Sequence, residues 1–155
     1  TAALGEMAEG PGCRVIKREP LFVALYRGHP LAEREALSVA ELREERFISL
    51  PEGYSFREIT EQLCRSAGFE VDIVHECFHC QLLACISDEI GVALVTEDTV
   101  KQERMRKGGS DILFPALRDE NAFRSVSLRW DQERALPEAA RQFVDFALCY
   151  YGGER

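Results

Sequence analysis

The chain has 155 residues, 46% of them hydrophobic and 30% charged, and a formal net charge of −8. That composition belongs to a folded protein of one ordinary domain or two small lobes sharing a core, not to a disordered chain. An acidic total excludes a broad nucleic-acid face, which needs clustered Lys and Arg, although a locally positive pocket for an anion stays open.

No segment is expected to meet a membrane. The longest clear apolar run, Leu21 to Tyr26, falls far short of the roughly 20 residues of a span. The opening TAALGEMAEGPG has no basic stretch followed by an apolar core, so no signal peptide is read there. The expected compartment is the cytoplasm, with Cys13, Cys64, Cys77, Cys80, Cys85 and Cys149 as reduced thiols. The chain begins without Met and partway through a structural unit, and so reads as a piece of something longer.

In chain order, residues 1–12 read as a loop or strand remnant and Val15 to Arg18 as a short extended piece. Pro20 to Tyr26 reads as a strand buried on both faces. Ser38-Val39-Ala40-Glu41 has capping-box form and predicts a short helix to about Arg43. Phe47 to Leu50 is a second buried strand. Ser55-Phe56-Arg57-Glu58 is another capping box, ahead of a helix whose stripe is Phe56, Ile59, Leu63 and Ala67, with Gly68 as its left-handed cap.

Val71 to Val95 is the central unit. An extended run puts Val71, Ile73 and His75 on one face. A corner at Cys77, Phe78 and His79 follows, then a helix with Leu82, Leu83, Ile86 and Ile90, then a strand at Val92 to Val95. A helix between two strands of one direction is the unit of an α/β sheet, and such sheets bind ligands at the strand-to-helix corners. Thr96 is expected to cap a polar helix to about Arg106, which Gly108-Gly109 ends. Ile112 to Leu117 reads as a strand with Pro115 at an edge or end. Val126, Leu128 and Trp130 are expected to face the core in alternation with Ser125, Ser127 and Arg129. Pro137 opens the last helix, with Ala140, Phe143, Val144, Ala147, Leu148 and Tyr151 as its stripe.

These pieces, taken in order, resemble a known family. LFVALYRGHPLA (Leu21 to Ala32), LSVAEL, RFISL, CRSAGFEVDIVHE, IGVALV, VSLRW and PEAARQFVDFAL are similar to the effector-binding domain of LysR-type transcriptional regulators. The resemblance implies an α/β fold of type 2 periplasmic-binding-protein-like lobes, the second complete and the first partial. It places the end of the first lobe and a crossing strand at residues 1–20, the second lobe at 21–124, and the return to the first lobe at 125–155. It also implies a small-molecule effector in an interlobe cleft, a small organic or aromatic acid. DNA binding would lie only in an absent N-terminal winged helix-turn-helix of a homodimeric or homo-oligomeric parent. Two departures stand out. Glu89 occupies a position where the family often has glycine, and Thr96 one where it often has proline.

The candidate effector-binding residues are Pro51, Tyr54, Ser55, Phe56, Phe78, His79 and Thr96. Free N–H groups at a helix start favour an anion, Ser55 adds a hydroxyl, and the aromatic rings suit a flat apolar body. On their own residues, Ser55 caps its helix, Phe56 packs and His79 faces solvent. A second reading is a metal- or redox-responsive regulator using Cys77, His79 and Cys80, a thiol-imidazole cluster with metal-like spacing that His75 and Cys85 could extend. The family's peroxide sensors carry a reactive cysteine where this chain has Ser55, nine positions before Cys64, so peroxide chemistry has no thiolate to start it. No phosphate loop, nucleophile elbow or H-E-x-x-H motif is present. Neither catalysis nor a bound cofactor is expected.

Overall fold

Val15–Arg18 and Pro20–Tyr26 form one strand instead of two. In a computed structural model describing residues 1–106, 111–131 and 135–152, strand β2 runs unbroken over Cys13–Tyr26. A bulge between Val15 and Lys17 bends it, and Pro20 stands where it changes partners. Before that point β2 pairs antiparallel with β9 (Phe123–Arg129), which in turn pairs with β1 (Ala2–Leu4). After it, β2 pairs with β6 (Ala93–Thr96), β7 (Ile112–Leu113) and β8 (Ala116–Leu117). The single strand expected over Ile112 to Leu117 is thus two short ones. Between them lies Pro115, whose carbonyl accepts the Val23 N–H. β8 also pairs in parallel with β3 (Ala36–Leu37).

The central unit forms as expected, with one more strand inside it. β5 (Asp72–Glu76) pairs in parallel with β4 (Arg46–Ser49), and β4 reaches β6 through a parallel bridge, Phe47 to Val92. So β5 and β6 run the same way with β4 between them. The helices are α1 (Ser55–Ser66), α2 (His79–Ser87), α3 (Glu97–Met105) and α4 (Glu138–Gly152). The expected break at Gly108-Gly109 lies outside the described residues.

Alternation along the strands builds two cores. Leu21, Val23, Leu25, Phe47, Val92 and Leu94 pack with Ile59 and Leu63 of α1 and with Val39 and Leu42 of a short 3-10 helix. Ala24, Ile48, Ala93 and Val95 face the other way, toward Leu82 and Ile86 of α2 and Val100 of α3. This is a three-layer α/β arrangement, and it explains why these strands read as continuously apolar. The histidine of the HPLA turn is structural. His29 is buried, with one ring nitrogen 3.1 Å from Glu45 Oε2 and the other accepting the Leu31 N–H at 3.2 Å.

Local signals hold in several places. Ser38 closes a complete capping box with Glu41, although the turn is 3-10 (Val39–Leu42) rather than α. Thr96 caps α3, accepting the Thr99 N–H. Gly68, at φ +86°, ends α1 with a Schellman pair of bonds, Phe69 N–H to Cys64 and Gly68 N–H to Arg65. Helix α2 ends by the same pattern, Ile90 N–H to Cys85 and Glu89 N–H to Ile86, but here Glu89 takes the left-handed position at φ 58°. A side chain there is strained. Glu89→Gly is therefore expected to raise stability by about 0.5–1 kcal/mol, after glycine's greater unfolded-state entropy is set against the relieved strain. The thermal midpoint should rise by about 1–4 °C. An unchanged or lowered midpoint would mean that the Glu89 carboxylate contributes as much as its backbone loses.

Four expectations are corrected. In β9 the serines are buried, while Val126 and Leu128 are only partly so; Ser125 Oγ donates to the Gly5 carbonyl at 2.7 Å. In α4, Phe143 is 60% exposed, and it shares the outer face with Phe146 and Tyr150, while Ala147 faces in. The helix begins at Glu138, with the Pro137 carbonyl accepting the Arg141 N–H, so Pro137 precedes the first helical residue. Finally, Ile73 and His75 do not share a face. A register shift pairs Phe47 with Ile73 but Ile48 with His75, so the strand turns over at Val74. Among the described residues no helix is long and apolar enough to cross a membrane.

Candidate functional site

The parallel strands β4, β5 and β6 end together, and each is followed by a helix start. Helix α1 begins after Pro51-Glu52-Gly53, where Gly53 sits at φ +87° and turns the chain. Its N-cap is Tyr54, not Ser55 as the capping-box spacing predicts. Tyr54 has extended backbone and its carbonyl accepts the Arg57 and Glu58 N–H groups. Ser55 becomes the first helical residue, exposed, and its hydroxyl plays no capping role. The N–H groups of Ser55 and Phe56 have no helical carbonyl behind them. Pro51 is half-buried beside this start.

The second start is Phe78-His79. Phe78 is the N-cap of α2 and His79 its first residue, both exposed. His79 does not continue the strand face of His75 and Cys77, because it enters the helix and approaches α1 instead. Two ring contacts join the starts: Tyr54 against Phe78, edge-on at 6.0 Å, and Phe56 beside His79 at 6.4 Å. Tyr54 is 45% exposed and Phe78 53%, whereas Phe56 is buried. Thr96, at the third start, is 6% exposed with its hydroxyl engaged by Thr99. Six of the seven candidates therefore meet around the α1 and α2 starts, and Thr96 lies beneath the start of α3.

A charged group stands behind the aromatic cluster that sequence reasoning missed. The Arg124 guanidinium lies 5.8 Å from the Phe56 ring centroid and donates to Glu19 Oε2 at 2.6 Å. Glu19 is fully buried, and its Oε1 accepts the Asp98 N–H at 3.1 Å and Lys17 Nζ at 3.4 Å. Lys17 also donates to Asp98 Oδ2 at 2.5 Å, which holds the Asp98 carboxyl below the ordinary carboxylate range. The sequence signal was faint: a Glu directly before Pro20 and an Arg heading an alternating strand, 105 residues apart.

Among the described residues, soft donors converge elsewhere. A nitrogen of His75 and the thiols of Cys77 and Cys85 lie within 4.8 Å of one another; His79 and Cys80 are not in that group. The Cys77-His79-Cys80 set expected from spacing is thus replaced by one that uses the helix face. Cys64 is fully buried inside α1, and burial pushes its thiol up to about 12, which makes it a packing residue.

The family model for the LysR substrate binding domain matches residues 4–151. The chain belongs to that family. Among solved structures of the same fold is CbnR, a LysR family transcriptional regulator, with a TM-score of 0.69 at 20% identity, covering 93% of this chain and 50% of that one. The dual regulator GltC of Bacillus subtilis is 25% identical over 140 residues, which is 89% of this chain and 45% of GltC. The chain thus spans less than half of that relative. The regulatory domain of CcmR from Synechocystis PCC6803, solved with 2-PG, superposes with a TM-score of 0.75 at 18% identity, covering 96% of this chain and 71% of that one. The effector-binding domain of QuiR, solved with shikimate, gives a TM-score of 0.73 at 14% identity, covering 98% and 72%. These similarities show the type 2 periplasmic-binding-protein-like fold of LysR substrate-binding domains.

Proposed function

We propose that this LysR domain senses a small organic or aromatic acid at the paired starts of α1 and α2. The carrying observation is the Tyr54–Phe78 pair: two large rings, 45% and 53% exposed, in contact across two helix N-termini. Exposed aromatics over free N–H groups suit a flat anion. Ser55 offers a hydroxyl, His79 an imidazole, and Arg124 a cation beneath Phe56. That CcmR and QuiR were solved with small molecules supports the reading.

The effector would lie between two lobes, residues 1–20 with 125–155 forming part of the first and 21–124 the second. Binding would favour one lobe arrangement and so shift how the subunits of a homo-oligomeric, cytoplasmic parent sit on DNA through its own DNA-binding part. The family is one of transcriptional regulators, and the reading assigns this chain binding without catalysis.

The test is thermal unfolding of the chain, and of its full-length parent, against small carboxylates and aromatic acids. At a concentration near 100 Kd a ligand specific to the folded state adds about 2.7 kcal/mol, an upward shift of about 5–10 °C. Ser55→Ala and His79→Ala should each shrink that shift. A shift of unchanged size in both variants would place the ligand elsewhere, and silence from the parent across the panel would sink the organic-acid reading.

A further inference from the structure

Neither the sheet nor the paired helix starts need two thiols and an imidazole at the end of β5. Cys77 is 5% exposed and donates its backbone N–H to the Ser49 carbonyl at 3.0 Å, which fixes the turn out of the strand. Cys85 lies one and a half turns along α2, partly buried against Leu82, Ile86 and Ile48 of the same core. His75 is exposed at the rim. Its presence on this face is a product of the bulge. In regular pairing it would follow Ile73 to the α1 side, but the shift at Val74 sets it opposite Ile48, on the α2 side with both cysteines.

From this geometry we infer that His75, Cys77 and Cys85 form a binding site for a thiophilic d10 cation, Cu(I) or Zn(II). The three donor atoms lie within 4.8 Å of one another. Around one ion, with metal–sulfur bonds of about 2.3 Å and a metal–nitrogen bond of about 2.0 Å, donors stand about 3.5–4 Å apart. The closure needed is small, and the exposed His75 ring can supply most of it by rotation. Two sulfurs and one imidazole are soft ligands, which Cu(I) accepts as a set of three. Zn(II) would take a fourth ligand from solvent on the open His75 side.

Burial, with Cys85 beside it, pushes the Cys77 thiol up to about 11. The thiolate, not the thiol, is the form that ligates a metal. Metal binding forms two metal–sulfur bonds and one metal–nitrogen bond and releases the two thiol protons to solvent. The bound ion would tie the last strand residues to the second turn of α2 and pin the Phe78-His79 corner between them. The site stands independently of the acid-sensing reading.

The test titrates the reduced chain with Zn(II) against a chromophoric chelator and, anaerobically, with Cu(I) against a Cu(I) chelator, using a thiol-free reductant. One equivalent of one of these ions should bind, and the ion that binds names the cation. Cys77→Ser, Cys85→Ser and His75→Ala should each weaken binding roughly tenfold or more, whereas Cys80→Ser and Cys149→Ser should leave it unchanged. His75→Ala guards against a folding artefact, because that side chain is exposed and contributes little to the core. Co(II) should give a charge-transfer band of two-thiolate intensity, reduced by half in either serine variant at positions 77 and 85. Binding that follows Cys80 or Cys149, survives His75→Ala at full strength, or fails to compete with either chelator would overturn the inference.

Discussion

Replacing Glu19 with alanine is expected to destabilise the fold by about 3–5 kcal/mol, the usual loss when one member of a buried charge network is removed. The carboxylate is fully buried and serves three donors: Arg124 Nε at 2.6 Å, the Asp98 N–H at 3.1 Å and Lys17 Nζ at 3.4 Å. Alanine would leave the guanidinium without its anion beside Phe56 and the start of α3 without its acceptor. For a chain of this size the thermal midpoint should fall by roughly 10 °C. Urea unfolding gives the free energy directly, and a double-mutant cycle with Arg124→Ala isolates their coupling. A loss below about 1 kcal/mol would show that water replaces the carboxylate's bonds, as it does at exposed ion pairs.

Gly91→Ala should cost about 2–3 kcal/mol through a clash that no side-chain movement can relieve. A β-carbon on Gly91 would lie 2.4 Å from the Arg46 carbonyl oxygen, and backbone cannot rotate away as a side chain can. This is the junction where β4 meets β6, held by the Ile48 N–H on Val92 and the Val92 N–H on Arg46, each at 2.8 Å. Relief would require the strands to part and those bonds to lengthen. The measurement is the urea midpoint together with amide exchange at Ile48 and Val92. Near wild-type stability with unchanged exchange would mean that the strands slide apart at no cost, and that the glycine serves another purpose.

Much of the fold was legible because its causes are local. The cap at Ser38, the left-handed Gly68, the apolar stripe through Ile59 and Leu63, and the cap at Thr96 each depend on a few neighbouring residues. The ordered motifs then carried the architecture. What escaped depends on partners distant in sequence. The face of His75 is decided by its pairing with β4, whose register shifts at Val74 of β5, so periodicity alone put it beside Ile73. The serines of β9 are buried against the simple rule that the apolar residues turn inward, and Ser125 is satisfied there by the Gly5 carbonyl, 120 residues away. Tyr54, directly after the turn at Gly53, takes the N-cap position in place of Ser55.

The candidate site was legible in the same uneven way. The corners at Ser55 and Phe78 follow from strand-then-helix order, and they meet. The Glu19–Arg124 pair joins two strands 105 residues apart, and nothing short-range announces it. The cysteines were visible as a cluster, but spacing chose Cys80, exposed at the helix start. The fold chose Cys85, the thiol facing back toward Cys77.

The junction at Gly91 also bears on motion. Among the described residues the β4–β5 pair meets β6 through one bridge and two hydrogen bonds. The loops bearing Tyr54 and Phe78 both spring from that pair, so a local opening at this seam would carry both rings away together as one cooperative unit. A molecule resting only on Tyr54 and Phe78 would ride with the unit and leave its breathing unaltered. One long enough to reach Arg124 as well would stitch across the seam and damp it. The reach of a ligand, more than its affinity, would then decide whether the rest of the sheet registers its arrival.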